Sequence, residues 1–80
     1  MTTATRMYRP DTASIAHYNT DNKTQAELWR WWMQSPAEKY DGASFADSIP
    51  LRKALRDRTA ILSASKRRGH IVLTAQLPTA

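Results

Sequence analysis

The chain has no cysteine, only two glycines and only four prolines in 80 residues. Without cysteine there are no disulfides, no thiolate zinc sites and no thiol nucleophile, and small exported scaffolds usually depend on such cross-links. A reducing, cytoplasmic setting is therefore expected. Two glycines leave no P-loop and no dinucleotide-binding fingerprint. Apolar runs are short: residues 1–10, which include Arg6 and Arg9, lack the apolar stretch of a secretory leader, and no segment approaches the roughly 18 consecutive apolar residues of a membrane span. Neither export nor a membrane partner is expected. His, Asp and Glu recur without the spacing of metal ligands, so no catalytic residue, metal or cofactor is assigned and the chain reads as a non-enzyme.

Acids are scarce in one region. Residues 1–50 balance, with five cations against six acids. Residues 51–80 hold Arg52, Lys53, Arg56, Arg58, Lys66, Arg67 and Arg68 against Asp57 alone, so the net charge of +5 is a local property of this segment. A solvated helix face usually mixes both signs, whereas a one-sign cluster creates a field that attracts polyanions.

What is present is enough for one small domain: 41% hydrophobic residues, with three Trp, three Tyr and one Phe to bury large areas. Residues 1–23 read as an arm, with a short strand near Thr5–Arg9 followed by irregular chain around Ile15 and Ala16, punctuated by Pro10, Asp11, Asn19 and Asn22. Residues 24–80 read as the folded unit. Thr24-Gln25-Ala26-Glu27 is a capping box that starts a helix to about Gln34, with Leu28, Trp29, Trp32 and Met33 on its apolar arc and Trp31 on the flank. Ser35-Pro36-Ala37-Glu38 suggests a helical turn to Tyr40, stopped by Asp41-Gly42. A short helix follows from Ser44, with Phe45 and Ile49 spaced i, i+4 to face inward.

Pro50 then opens the longest expected helix, running to about Arg68 over about 28 Å. Leu51, Ala54, Leu55, Ile61 and Leu62 fall on one side of it. Arg52, Arg56, Ser63 and Arg67 fall on the other, with Thr59 and Lys66 at the edge. Arg58 disagrees, sitting in the apolar stripe: either it snorkels toward an acid such as Asp47, or the helix breaks between Asp57 and Thr59. The continuous helix is preferred. Gly69 caps it after three cations, and His70–Leu77 alternates as a strand. His70 has no catalytic partner nearby in sequence and is placed as a strand end or phosphate contact.

A Trp-rich helix, a short helix after Gly42, a basic helix and then Lys66-Arg67-Arg68-Gly69-His70 leading into a strand together resemble a winged helix-turn-helix domain over residues 24–77. The resemblance implies a mainly α fold, a three-helix helix-turn-helix core with a small β element, and a sequence-specific regulator of transcription that binds double-stranded DNA. In that family the third helix enters the major groove. Arg52, Lys53 and Arg56 would then read base edges, Thr59 and Ser63 would lie on the same face, and Lys66, Arg67, Arg68 and His70 would hold phosphates. About five phosphate contacts would give a slope of log affinity against log salt of about −4 to −5. So small a footprint would call for a symmetric homodimer on a palindromic site, and nucleoid association would follow.

The rival class is an interaction protein, for example a phage-encoded inhibitor, anti-CRISPR-like in size and charge, that uses its basic face against an acidic host protein. Such a protein should expose Trp31 and Tyr40 beside its charges as partner anchors. Single-stranded RNA fits less well, since residues 51–80 hold no aromatic on which a base could stack.

Overall fold

The computed structural model describes residues 2–9, 20, 23–35, 37–42 and 44–78. Its elements run β1 (Thr3–Tyr8), α1 (Gln25–Gln34), β2 (Glu38–Asp41), α2 (Phe45–Asp57), β3 (Ile61–Arg67) and β4 (His70–Gln76). The strands form one antiparallel sheet in the order β2-β1-β4-β3. Among the described residues helix and strand are present in about equal amounts, and the expected mainly α, three-helix core is replaced there by two helices on a four-stranded sheet. The expected irregular stretch with Pro10, Asp11, Ile15, Ala16, Asn19 and Asn22 lies outside the described residues, as does Pro36.

The largest departure is the long basic helix. It ends at Asp57, Arg58 turns left-handed at φ 58°, and Ile61–Arg67 is a strand. From Ile61 onward the sequence alternates: Leu62 is buried and Ala64 half-buried on one face, while Ile61, Ser63, Ser65 and Arg67 point to the other. Ile and Ser are weak helix formers, and this segment gains a full ladder with β4 by leaving the helix. The two-residue connection Arg68-Gly69 closes that hairpin, with Gly69 at φ 74°. Gly69 is therefore the left-handed residue of a β-turn and not a helix cap.

Two smaller corrections follow from the partners available. Residues 38–41 extend along the free edge of β1 and do not coil, with Tyr40 opposite Ala4 and Glu38 opposite Arg6. Residues 45–57 form a single helix across Pro50. Ser44 and Asp47 close a complete capping box, and the proline removes only the bond to the carbonyl of Ala46, where both residues are exposed to water. In this register Ser48, Leu51 and Ala54 face inward, and Phe45 and Ile49 point out at 71% and 49% exposure.

Both helices lie on one face of the sheet. Ala4, Arg6 and Tyr8 of β1 point toward them, joined in the core by Ile71, Leu73 and Ala75 of β4 and Leu62 of β3. From above, α1 contributes Leu28, Trp29, Trp31 and Trp32, and α2 contributes Leu51 and Ala54. Trp31 is buried against the ring of Tyr8 at 5.5 Å, while Met33, placed inward by the helical wheel, is 60% exposed. Two polar clamps fix α1. At its start the Gln25 amide donates to the Leu62 carbonyl and accepts from the Leu62 N–H, both at 2.8 Å, so one side chain pairs the edge of β3 as a strand would. At its end Arg6 Nη1 donates to the carbonyls of Trp32 at 2.7 Å and Ser35 at 3.3 Å. The last turn of α1 has no cation of its own, so Arg6 supplies from β1 the positive charge that a helix C-terminus favours.

Candidate functional site

Breaking the long helix at Arg58 divides the expected basic face into two. Arg52, Lys53 and Arg56 stay together on α2, exposed, with Thr59 in the turn beyond it. Ser63, Lys66 and Arg67 go to β3, Arg68 to the turn and His70 to the start of β4. The alternation of β3 sends Ser63 and Arg67 to the sheet face turned away from the helices and Lys66 to the other. No common helix face joins the nine residues, and the base-reading arrangement for Arg52, Lys53 and Arg56 on a helix from 50 to 68 does not form.

Arg52 and Arg56 of the first group border a cleft of about 500 Å³ where α1, α2, β1 and β2 meet, and Lys53 and Thr59 do not line it. Four guanidinium groups line it, from Arg6, Arg52, Arg56 and Arg58, against one carboxylate, Glu38. Tyr40 adds a hydroxyl, while Met33 and Leu55 add apolar wall over buried Trp32. Arg6 comes from β1, Arg52 and Arg56 from α2, and Arg58 from the residue that caps α2. Arg6 lies over the Trp32 ring at 4.7 Å and pairs with Glu38 at 3.7 Å. Arg52 lies over the Tyr40 and Phe45 rings, its guanidinium carbon 5.2 Å from each centroid, within cation–π range. Arg56 meets Asp57 at 3.6 Å. Arg58 enters because the left-handed turn at the end of α2 aims its side chain back between the helices, and there it also borders a neighbouring cleft with Trp29, Arg30 and Met33.

Burial, followed by the charge and hydrogen bond of Glu38, raises the Tyr40 phenol above its ordinary pKa, with Arg52 pulling the other way. Tyr40 is thus a neutral hydroxyl at any physiological pH. It is half-buried. Trp31, the other residue expected as a partner anchor, is only 8% exposed and has Lys23 over its ring at 5.3 Å.

The second group is the hairpin tip. Lys66, Arg67 and Arg68 are exposed, and none has an ion pair among the described residues. His70 is half-buried, its Nδ1 3.0 Å from the Arg68 carbonyl. Arg9 is exposed one residue beyond the Tyr8–Ile71 pair, which puts it at the same end of the sheet.

No protein-family model matches this sequence, and no curated protein or solved structure is significantly similar to it. Function therefore has to be argued from the two groups themselves. Among the described residues no three His, Asp or Glu side chains are grouped as a metal site, and no helix is long and apolar enough to cross a membrane.

Two of the cleft's arginines are not legible as site residues in the sequence. Arg6 lay in a segment taken as an arm and gave no motif. Arg58 was seen as an anomaly in the apolar stripe, and that anomaly was the available clue: a cation that fits neither face of a helix marks the point where the helix stops.

Proposed function

We infer that the protein binds nucleic acid through the phosphate backbone, with the β3–β4 hairpin tip as the contacting element. The observation that supports this is the tip itself. Lys66 and Arg67 project to opposite sides of a two-stranded ribbon, Arg68 sits at its turn, Arg9 stands at the same end, and no acid of the described residues pairs with Lys66, Arg67 or Arg68. A two-stranded ribbon fits the major groove of B-form DNA, which the deep, narrow groove of A-form RNA does not allow, so duplex DNA is the favoured target. Backbone contacts give affinity without sequence choice.

Fluorescence anisotropy of labelled random-sequence duplex, titrated at several salt concentrations, tests this. Four tip contacts should give a slope of log affinity against log salt of about −3 to −4, and replacing Lys66, Arg67 and Arg68 together by Ala should reduce its size by about 2.7. A slope unchanged by that triple replacement would remove the hairpin from the interface.

A protein partner is the second reading, supported by the exposure of Phe45 and Ile49 one helical turn apart on α2, beside Arg52 and Lys53. Phe45→Ser with Ile49→Ser separates the two, because it removes the apolar pair and leaves every tip cation in place.

A further inference from the structure

The cleft between α1, α2, β1 and β2 is built differently from the hairpin tip, and its construction is more than a field of positive charge requires. Electrostatic attraction needs only exposed cations. Here four arginines from β1 and α2 converge on one concavity of about 500 Å³, well within the range of about 300–1,000 Å³ seen for small-molecule sites. Three of them come from α2 and its cap. The fourth, Arg6, is held by the Trp32 and Ser35 carbonyls and by Glu38, so its charge is fixed at the floor of the cleft.

Arg58 is the second observation. Its backbone is left-handed at φ 58°, a conformation in which a side chain with a Cβ is strained by about 1–2 kcal/mol and which helices normally end with glycine. A non-glycine residue held there against preference is a feature of functional sites. The result of keeping arginine at this position is a fourth arginine in the lining of the cleft.

We propose that this cleft binds a phosphate monoester of nucleotide size, its phosphate held by Arg52, Arg56 and Arg58 and its base resting on Met33 and Leu55. Guanidinium groups match phosphate oxygens in paired hydrogen bonds. The cleft is far larger than a bare phosphate, and Trp32, Met33 and Leu55 give it an apolar wall against which an organic group attached to the anion can rest. Glu38 is the one carboxylate of the lining, and Asp57 lies beside Arg56 outside it. Glu38 is engaged by Arg6 and Asp57 by Arg56, so both are partly neutralised at the site.

Two sources share this chemistry: a free nucleoside monophosphate, and the phosphorylated end of a nucleic-acid strand, in which case the proposal rests on the nucleic-acid reading above. The test uses the full chain in isothermal titration with adenosine 5′-monophosphate, inorganic phosphate, and short duplexes carrying 5′-phosphate or 5′-hydroxyl ends. The duplexes are also run on the Lys66, Arg67, Arg68 triple alanine variant, so that the hairpin does not mask the cleft.

Arg52→Ala with Arg56→Ala should weaken nucleotide binding by about tenfold or more, the usual loss for charge-assisted contacts. Arg58→Gly should weaken it by a similar factor without lowering the Tm, which a merely structural arginine would not do. Affinity should fall as pH drops below about 6, where the phosphate monoester loses its second charge. Binding of the free nucleotide without preference between duplex ends assigns the free nucleotide as ligand, and preference for the phosphorylated end assigns the strand terminus. Inorganic phosphate binding as tightly as the nucleotide, or no binding by nucleotide and phosphorylated end alike, overturns the proposal. The nucleic-acid reading survives that result if wild-type duplex binding keeps its salt slope.

Discussion

Two arginine-rich groups hang on two left-handed residues, and the chain fills those positions in opposite ways. At the hairpin tip the left-handed residue is Gly69, at φ 74°, where glycine has no Cβ to strain, and the three cations Lys66, Arg67 and Arg68 lead into it. At the end of α2 the left-handed residue is Arg58 itself, at φ 58°. The tip thus has relaxed backbone and cations without ion partners among the described residues, while the cleft has a strained backbone residue and cations set against rings and carboxylates. The difference separates two uses of the same side chain. Exposed, unpaired cations produce a long-range, salt-screened attraction; cations fixed on a concave wall produce short-range geometry.

The strongest way to sharpen that contrast is to remove a cation whose role is also structural. Arg6→Met keeps the aliphatic stem but deletes the bonds to the Trp32 and Ser35 carbonyls, the pair with Glu38 and the stacking on Trp32. The loss expected in urea unfolding is about 2–4 kcal/mol, from charge-assisted hydrogen bonds at a helix C-terminus inside a partly buried site. The triple alanine variant at the tip should stay within about 0.5 kcal/mol of wild type by the same measurement, as surface changes usually do. A comparable loss at both sites would erase the distinction between a built cleft and a solvated tip.

How much of this could be read from the sequence follows the same division. The start of α1 was legible because Thr24 is a local signal: its side chain accepts from the Glu27 N–H at 3.2 Å, as the motif requires. Even so, Glu27 turns to Lys23 at 3.3 Å. The strands expected near Thr5–Arg9 and at His70–Leu77 are present with shifted ends, at Thr3–Tyr8 and His70–Gln76. Residues 50–68 were not legible, because Leu51, Ala54, Leu55, Ile61 and Leu62 fit a helical arc as well as they fit a helix followed by an alternating strand. Only pairing with β4 decides between them, and pairing is a long-range contact. The same holds for residues 38–41, which take their form from the edge of β1. The candidate cleft was legible only in part: Arg52 and Arg56 were picked out by charge, but Arg6 joins them through a strand register that nothing near it in sequence specifies.

The tip offers the next test. Gly69→Ala places a Cβ in open space, with no atom within 4 Å, so only the backbone conformation resists the change. A loss of about 1–2 kcal/mol is expected from the left-handed strain, read as a lower urea midpoint with an unchanged m-value. A loss near zero would mean that the turn relaxes to another type, and the tip would then be too adaptable to hold Lys66 and Arg67 on fixed sides of the ribbon.

The smallest effect is the most discriminating, because its sign is opposite. Arg58→Gly relieves about 1–2 kcal/mol of strain and adds about 0.5–1 kcal/mol of unfolded-state entropy, leaving a net gain of about 0.5–1 kcal/mol. The backbone bonds that end α2, from the Arg58 N–H to the Leu55 carbonyl and from the Thr59 N–H to the Ala54 carbonyl, need no side chain and are retained. Asn, which tolerates the left-handed region better than most residues, should give a smaller gain and serves as the intermediate point. If stability rises from Arg to Asn to Gly, the wild-type chain holds a less stable residue at the mouth of the cleft, and the reason for keeping it lies in what the guanidinium does there. If stability falls instead, the contacts of Arg58 with its neighbours outweigh the strain, Arg58 is a structural cap, and the contrast between the two left-handed positions disappears.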